Sequence, residues 1–215
     1  MTSIFVIGIA MVMWILFGYS LAFGNDHLGI IGDLSFLGLS NVGTTPGNYA
    51  STIPDLGFAA FQMMFAIITA PLMIGAFANR LTVSGWIKIL IIWMILIYFP
   101  ADLLCLGTVT FPAIDAWVWG GGFLSKLGFV DFAGGAVIHI TSGFGCLGGI
   151  YVLGERKVKN EKGPFNLGLV AIGAALLLFG WYGFNAGGTV AAADIAAIVF
   201  TNTGVASATG MIVWL

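Results

Sequence analysis

Apolar residues fill long runs along this chain, and short stretches rich in Gly, Asn, Pro and charge interrupt them. The runs lack the polar/apolar alternation of a lipid-facing strand. Each is close to the ~20 residues a helix needs to cross a hydrocarbon core. The pattern predicts six spans, roughly residues 3–23, 56–78, 85–108, 131–153, 165–187 and 191–215. The expected fold class is all-α, a polytopic transmembrane helix bundle. The last predicted span runs to residue 215 with no polar flank.

Composition supports this. Of the residues, 60% are hydrophobic and 7% are charged, and the mean hydropathy is +1.06. A soluble domain carries about 25% charged residues, so this chain cannot cover a water-facing surface. The net charge of −2 says nothing about nucleic acid; no basic patch exists outside two short loops, and no nucleic-acid partner is expected. The 32 glycines suit close helix packing in a bilayer. Cys105 and Cys146 lie in or near apolar runs and form no metal spacing or disulfide framework. The first run lacks a charged leader and a cleavage site, so it reads as a span rather than a signal peptide.

Charge orients the spans. Arg80, Lys88, Arg156, Lys157, Lys159 and Lys162 fall on one side, and Lys126 falls on the other. Six of seven on one side marks that side as cytoplasmic. The connections 24–55 and 109–130 are then outside, and residue 1 is cytoplasmic. The expected location is the cell membrane, with several passes. The 24–55 loop carries Asp26, His27, Asp33 and Asp55 and shows no regular pattern.

Candidate chemistry centres on "DFAGGAVIHI", residues 131–140. If a helix starts at Asp131, His139 lies ~12 Å further in and about 80° round the axis. Two readings stand for Asp131: an N-terminal anchor that accepts backbone N–H bonds, or a ligand near the outer mouth. Two also stand for His139, a brace to a neighbouring helix or a ring lining a pore. Phe61 and Phe65 stand one turn apart with Gln62 beside them. Trp117 and Trp119 fit an interfacial belt or an aromatic face for a cation. One intramembrane His, one Asp and two separated Cys provide no nucleophile–base pair and no metal-ligand set. The reading is therefore not an enzyme, with no cofactor and no metal.

The blocks "FGYSLAFG" (17–24), "AFQMMFAIIT" (60–69), "WVWGGGFL" (117–124), "DFAGGAVIHITSGFGCLGG" (131–149) and "GWYGFNAGG" (180–188) resemble, in order, the ammonium transporter (Amt/Mep/Rh) family. "GER" at 154–156 completes the resemblance to its signature segment. The resemblance implies an eleven-span fold of two inverted halves, a homotrimer, and one narrow pore per protomer. It implies that Trp119 and Phe65 recruit the cation outside, with Asp131 nearby. Phe65 and Phe184 then match the upper and lower gate rings, His139 the first pore histidine, and Phe61 and Gln62 the residues flanking the gate.

Departures accompany the match. Gly188 stands where some members place a recruitment-site Ser, and the segment before Trp117 is longer than the family pattern. The chain is expected to begin at the family's second span and stop within its seventh, which leaves a second pore histidine beyond it. The implied function is transport of ammonium/ammonia: cation recruitment, deprotonation, and passage of the neutral form past the rings and His139. The alternative is an ammonium sensor with a signalling domain further along the gene product. Implied partners are the lipid bilayer and a small PII-type regulator.

Overall fold

A computed structural model describes residues 2–27, 31–99, 127–157 and 166–215. The chain divides into two compact units, Met1–Val158 and Lys159–Leu215.

Among the described residues of the first unit, four apolar helices carry the architecture: α1 (Ile4–Phe23), α2 (Asp55–Phe77), α3 (Val83–Tyr98) and α4 (Gly135–Leu153). α1, α2 and α4 are long and apolar enough to cross a membrane, and α3 is shorter. The part of the 85–108 prediction from residue 100 onward lies outside the described residues. Thr82 starts α3 as an N-cap, its Oγ1 accepting the Gly85 N–H at 3.2 Å. Pro71 sits inside α2. A proline has no N–H to continue the ladder, and the helix is interrupted at Met73 before resuming at Ile74–Phe77.

α1 and α3 each contain a π-helical turn, Trp14–Gly18 and Met94–Tyr98. The two meet at Phe99. Its ring lies edge-on to Phe17 at 5.8 Å and tilted to Trp14 at 6.3 Å. A Cβ on Gly18 would fall 2.6 Å from the Phe99 Cε1, so glycine is what lets the ring in. Trp14 also ties α1 to α2, its Nε1 donating to the Ala59 carbonyl at 3.1 Å. Trp14, Tyr19, Phe23, Phe58, Tyr98 and Phe99 are all at most 2% exposed and form the aromatic core.

The outer loop is more ordered than its sequence implies. It holds a short antiparallel pair, β1 (Asp26–His27) with β2 (Ile31–Gly32), and a 3-10 turn at Leu37–Leu39. This corrects the expectation of a loop without regular structure. Asp33 organises it, accepting from the Asn25 N–H, the Asn25 Nδ2 and the Ser35 N–H. Burial alone would raise its carboxyl. The hydrogen bonds from Ser35 and Asn25 win and lower it from 3.8 to about 2. Tyr49 pins the loop to the helices: its ring stacks on Phe58 at 5.5 Å and its hydroxyl donates to the Phe23 carbonyl at 2.6 Å. Burial, then the nearby Asp55 and Asp33 charges, push that phenol well above its ordinary value.

The second unit is a hairpin of α5 (Leu167–Gly187) and α6 (Asp194–Trp214), both long and apolar enough to span. Asn166 caps α5 through the Leu169 N–H at 3.0 Å. Inside the hairpin, Asn185 Nδ2 donates to Thr203 Oγ1 at 3.1 Å, and Tyr182 lies 4.5 Å from Phe200. A Cβ on Gly204 would lie 2.6 Å from the Tyr182 hydroxyl, so the small residue sets the approach of the two helices.

Candidate functional site

The start of α4 is built around one carboxylate. Asp131 is 6% exposed. Its Oδ1 accepts the N–H groups of Gly134 and Gly135, both at 2.8 Å. Its Oδ2 accepts those of Ala136 at 2.9 Å and Val137 at 3.1 Å. A helix start leaves about four N–H groups without intrahelical partners, and here one side chain takes all of those donors. The negative charge also faces the positive end of the helix dipole. A carboxylate has about four lone-pair directions, and this one directs them to its own backbone.

This corrects the sequence reading of where the helix begins. α4 starts at Gly135, with Asp131 ahead of it. The physical reason is Gly134, which turns left-handed at φ 88° and so prevents a continuous helix from Asp131. His139 consequently lies about one turn into the helix rather than more than two. The first turns, Gly135–Ile140, are π-helical, and the Gly134 carbonyl accepts both the Ile138 N–H at 2.9 Å and the His139 N–H at 3.2 Å. The 80° angle calculated for a regular α-helix does not apply across such turns. π-turns inside helices often mark functional positions.

Gly134 is also where α2 meets α4. A Cβ there would stand 2.6 Å from Ile138 Cδ1 and 3.2 Å from Phe65 Cδ1. The Phe65 ring is 1% exposed, and Phe61 meets it edge-on at 5.3 Å and 87°. Gln62 is fully buried, and neither atom of its amide has a hydrogen-bond partner among the described residues. His139, by contrast, is exposed on the surface of the first unit, its carbonyl accepting from Ser142 Oγ at 3.3 Å. The structure thus brings Phe61, Phe65 and the Asp131 turn together and puts His139 on the next turn. Gly134 joins this group unannounced. Its only sequence signal is the Gly-Gly pair three residues after the acid.

Phe184 belongs to the second unit, half-buried on α5, with its ring 5.7 Å from Trp181. Trp119 lies outside the described residues. Among the described residues no group of three His, Cys, Asp or Glu side chains is placed to hold a metal.

The apolar helices and this helix start define a multi-pass membrane protein. The family model of the Ammonium Transporter Family matches residues 1–215, and the chain belongs to that family. It is 41% identical over 209 residues to an ammonium transporter of Bacillus subtilis, covering 97% of this chain and 48% of that protein. Among solved structures it is similar to Mep2 of Candida albicans, with a TM-score of 0.81, 33% identity, and coverage of 98% of this chain and 45% of the other. It is also similar to a sensor Amt protein, with a TM-score of 0.73, 27% identity, and coverage of 95% and 49%. The chain spans about half the length of the curated relatives it matches.

Proposed function

We propose that the protein containing this chain moves ammonium/ammonia across the cell membrane. The observation that carries the reading is the family match along all 215 residues. The Phe61–Phe65–Gly134 contact and the buried Asp131 turn support it locally. In this reading Trp119 and Phe65 hold the cation outside, where an aromatic face attracts it. Asp131 shapes that region by fixing the start of α4. The cation releases its proton, and neutral ammonia passes the Phe65 and Phe184 rings. Carrying a bare ion through an apolar passage would be very costly. His139 then offers a group that both donates and accepts, with Phe61 and Gln62 in the adjoining wall.

The protein acts as a homotrimer with a pore in each protomer, and a PII-type protein regulates it from the cytoplasm. The sensor reading is set aside because identity to the transporter, 41%, exceeds that to the sensor protein, 27%. Uptake of radiolabelled methylammonium by vesicles holding the complete gene product tests the proposal. Saturable uptake that ammonium competes away is expected. Uptake no greater than in empty vesicles would overturn the transport reading.

A further inference from the structure

One polar side chain of the first unit stands outside the hydrogen bonding around it. Gln62 is 0% exposed, and neither its Nε2 nor its Oε1 has a hydrogen-bond partner among the described residues. It lies on the buried stripe of α2 that also holds Phe58, Ala59, Phe65 and Thr69. The polar groups along that stripe are already engaged. Trp14 Nε1 donates to the Ala59 carbonyl at 3.1 Å, one turn before the amide. Thr69 Oγ1 donates to the Phe65 carbonyl at 2.6 Å, one turn beyond Phe65.

An amide withdrawn from water without partners is costly, and native interiors keep few of them. A leucine of similar size would fill the same space without that cost. Packing therefore does not explain the glutamine. Its setting does. Gln62 follows Phe61 directly and precedes Phe65 by three residues, and those two rings meet edge-on at 5.3 Å. Residues three apart share a helix face, so Gln62 and Phe65 are neighbours on α2.

We propose that the Gln62 amide is a hydrogen-bonding station for the neutral form of the substrate, uncovered when the Phe61 and Phe65 rings move aside. This role rests on the transport function already proposed. The amide presents N–H donors and a carbonyl acceptor. Ammonia has a lone pair and N–H bonds, so it accepts from Nε2 and donates to Oε1 together. Ammonium has no lone pair and potassium has no N–H. Each engages Oε1 alone and leaves Nε2 unmet, so the station favours the deprotonated molecule. The amide is unmet with the rings in place and met with ammonia bound, so the neutral substrate stabilises the open arrangement over the closed one. Water has the same donor–acceptor character and is the competing occupant, as a resident of the folded protein.

Gln62→Leu and Gln62→Met in the complete protein separate these occupants, through melting temperature in detergent and methylammonium uptake by vesicles. Both variants should melt higher than the parent, because each removes an unmet buried amide. Maximal uptake should fall about fivefold, the effect of one lost hydrogen bond. The concentration giving half-maximal uptake should hold, because recruitment lies further out. Melting at or below the parent in both variants would overturn the proposal, since the amide is then met in the folded protein, as by a resident water. Higher melting with parental uptake would overturn it too and leave Gln62 a packing residue. A raised half-maximal concentration with unchanged maximal uptake would move Gln62 to recruitment instead. Parent vesicles that take up no more than empty ones would overturn the transport reading itself, whereas full uptake by parent and variants alike strikes the station alone.

Discussion

The ring of Phe65 rests against the bare Cα of Gly134, so that a Cβ there would stand 3.2 Å from its Cδ1. Gly134→Ala meets this ring and the Ile138 side chain, and it places alanine at φ 88°. The left-handed conformation alone costs about 1–2 kcal/mol. The variant should melt earlier in detergent. Ile138→Ala added to it should recover only the steric part. A Gly134→Ala protein as stable as the parent would mean the turn is not as tight as described.

Asp131→Asn keeps the size of the side chain and removes the charge. An amide NH₂ then faces two of the four N–H groups that the carboxylate satisfied. Bonds to a charged group contribute about 1.5–3 kcal/mol, so the yield and melting temperature of folded protein should drop. If Asp131 acts only as a cation ligand, stability will be unchanged and uptake alone will fall.

His139→Ala separates bracing from pore lining. A pore role predicts normal yield of assembled protein with reduced ammonium flux, or with potassium admitted as water enters the vacated space. Flux and selectivity equal to the parent in reconstituted vesicles would remove His139 from the pore.

Trp119→Ala should weaken capture of methylammonium, because an aromatic face contributes about 0.5–2 kcal/mol to holding a cation. The readout is the concentration giving half-maximal uptake. An unchanged value would make Trp119 an interfacial belt residue.

The outer loop should respond to acid. The Asp33 carboxyl is lowered on folding, from 3.8 to about 2. Its contribution is therefore fully present above the unfolded value and is lost as pH falls through the folded one. Cleavage of the 24–36 segment by an acid-active protease should rise between about pH 4 and pH 2, more steeply than in an Asp33→Asn control. Identical profiles would show that the carboxylate does not hold the loop.

Much of the fold can be read from hydropathy, because a run such as 167–187 is apolar all round and has no alternative in water. The finer points have no such signal. The acid at 131 is visible, but the onset of α4 is decided by the backbone angle of Gly134. A π-turn such as Trp14–Gly18 has the same composition as an α-turn. Two-residue strands such as β1 are too short to show a period. Whether a side chain like Gln62 or His139 is enclosed depends on which neighbour covers that face. Spacing along one helix cannot report that, and Phe65 against Gly134 is a contact between residues 69 apart in sequence.

The Asp131 turn also bears on how this protein enters the bilayer. Every donor the carboxylate uses lies within six residues of it, so the motif needs no other helix in order to close. An acid that would otherwise make its segment costly to insert carries its own solvation in the form of peptide N–H groups. Seen from the translocation machinery, the segment 131–153 is an apolar unit whose one carboxylate already has its hydrogen bonds met by local backbone. It can therefore partition into lipid before its partners are synthesised.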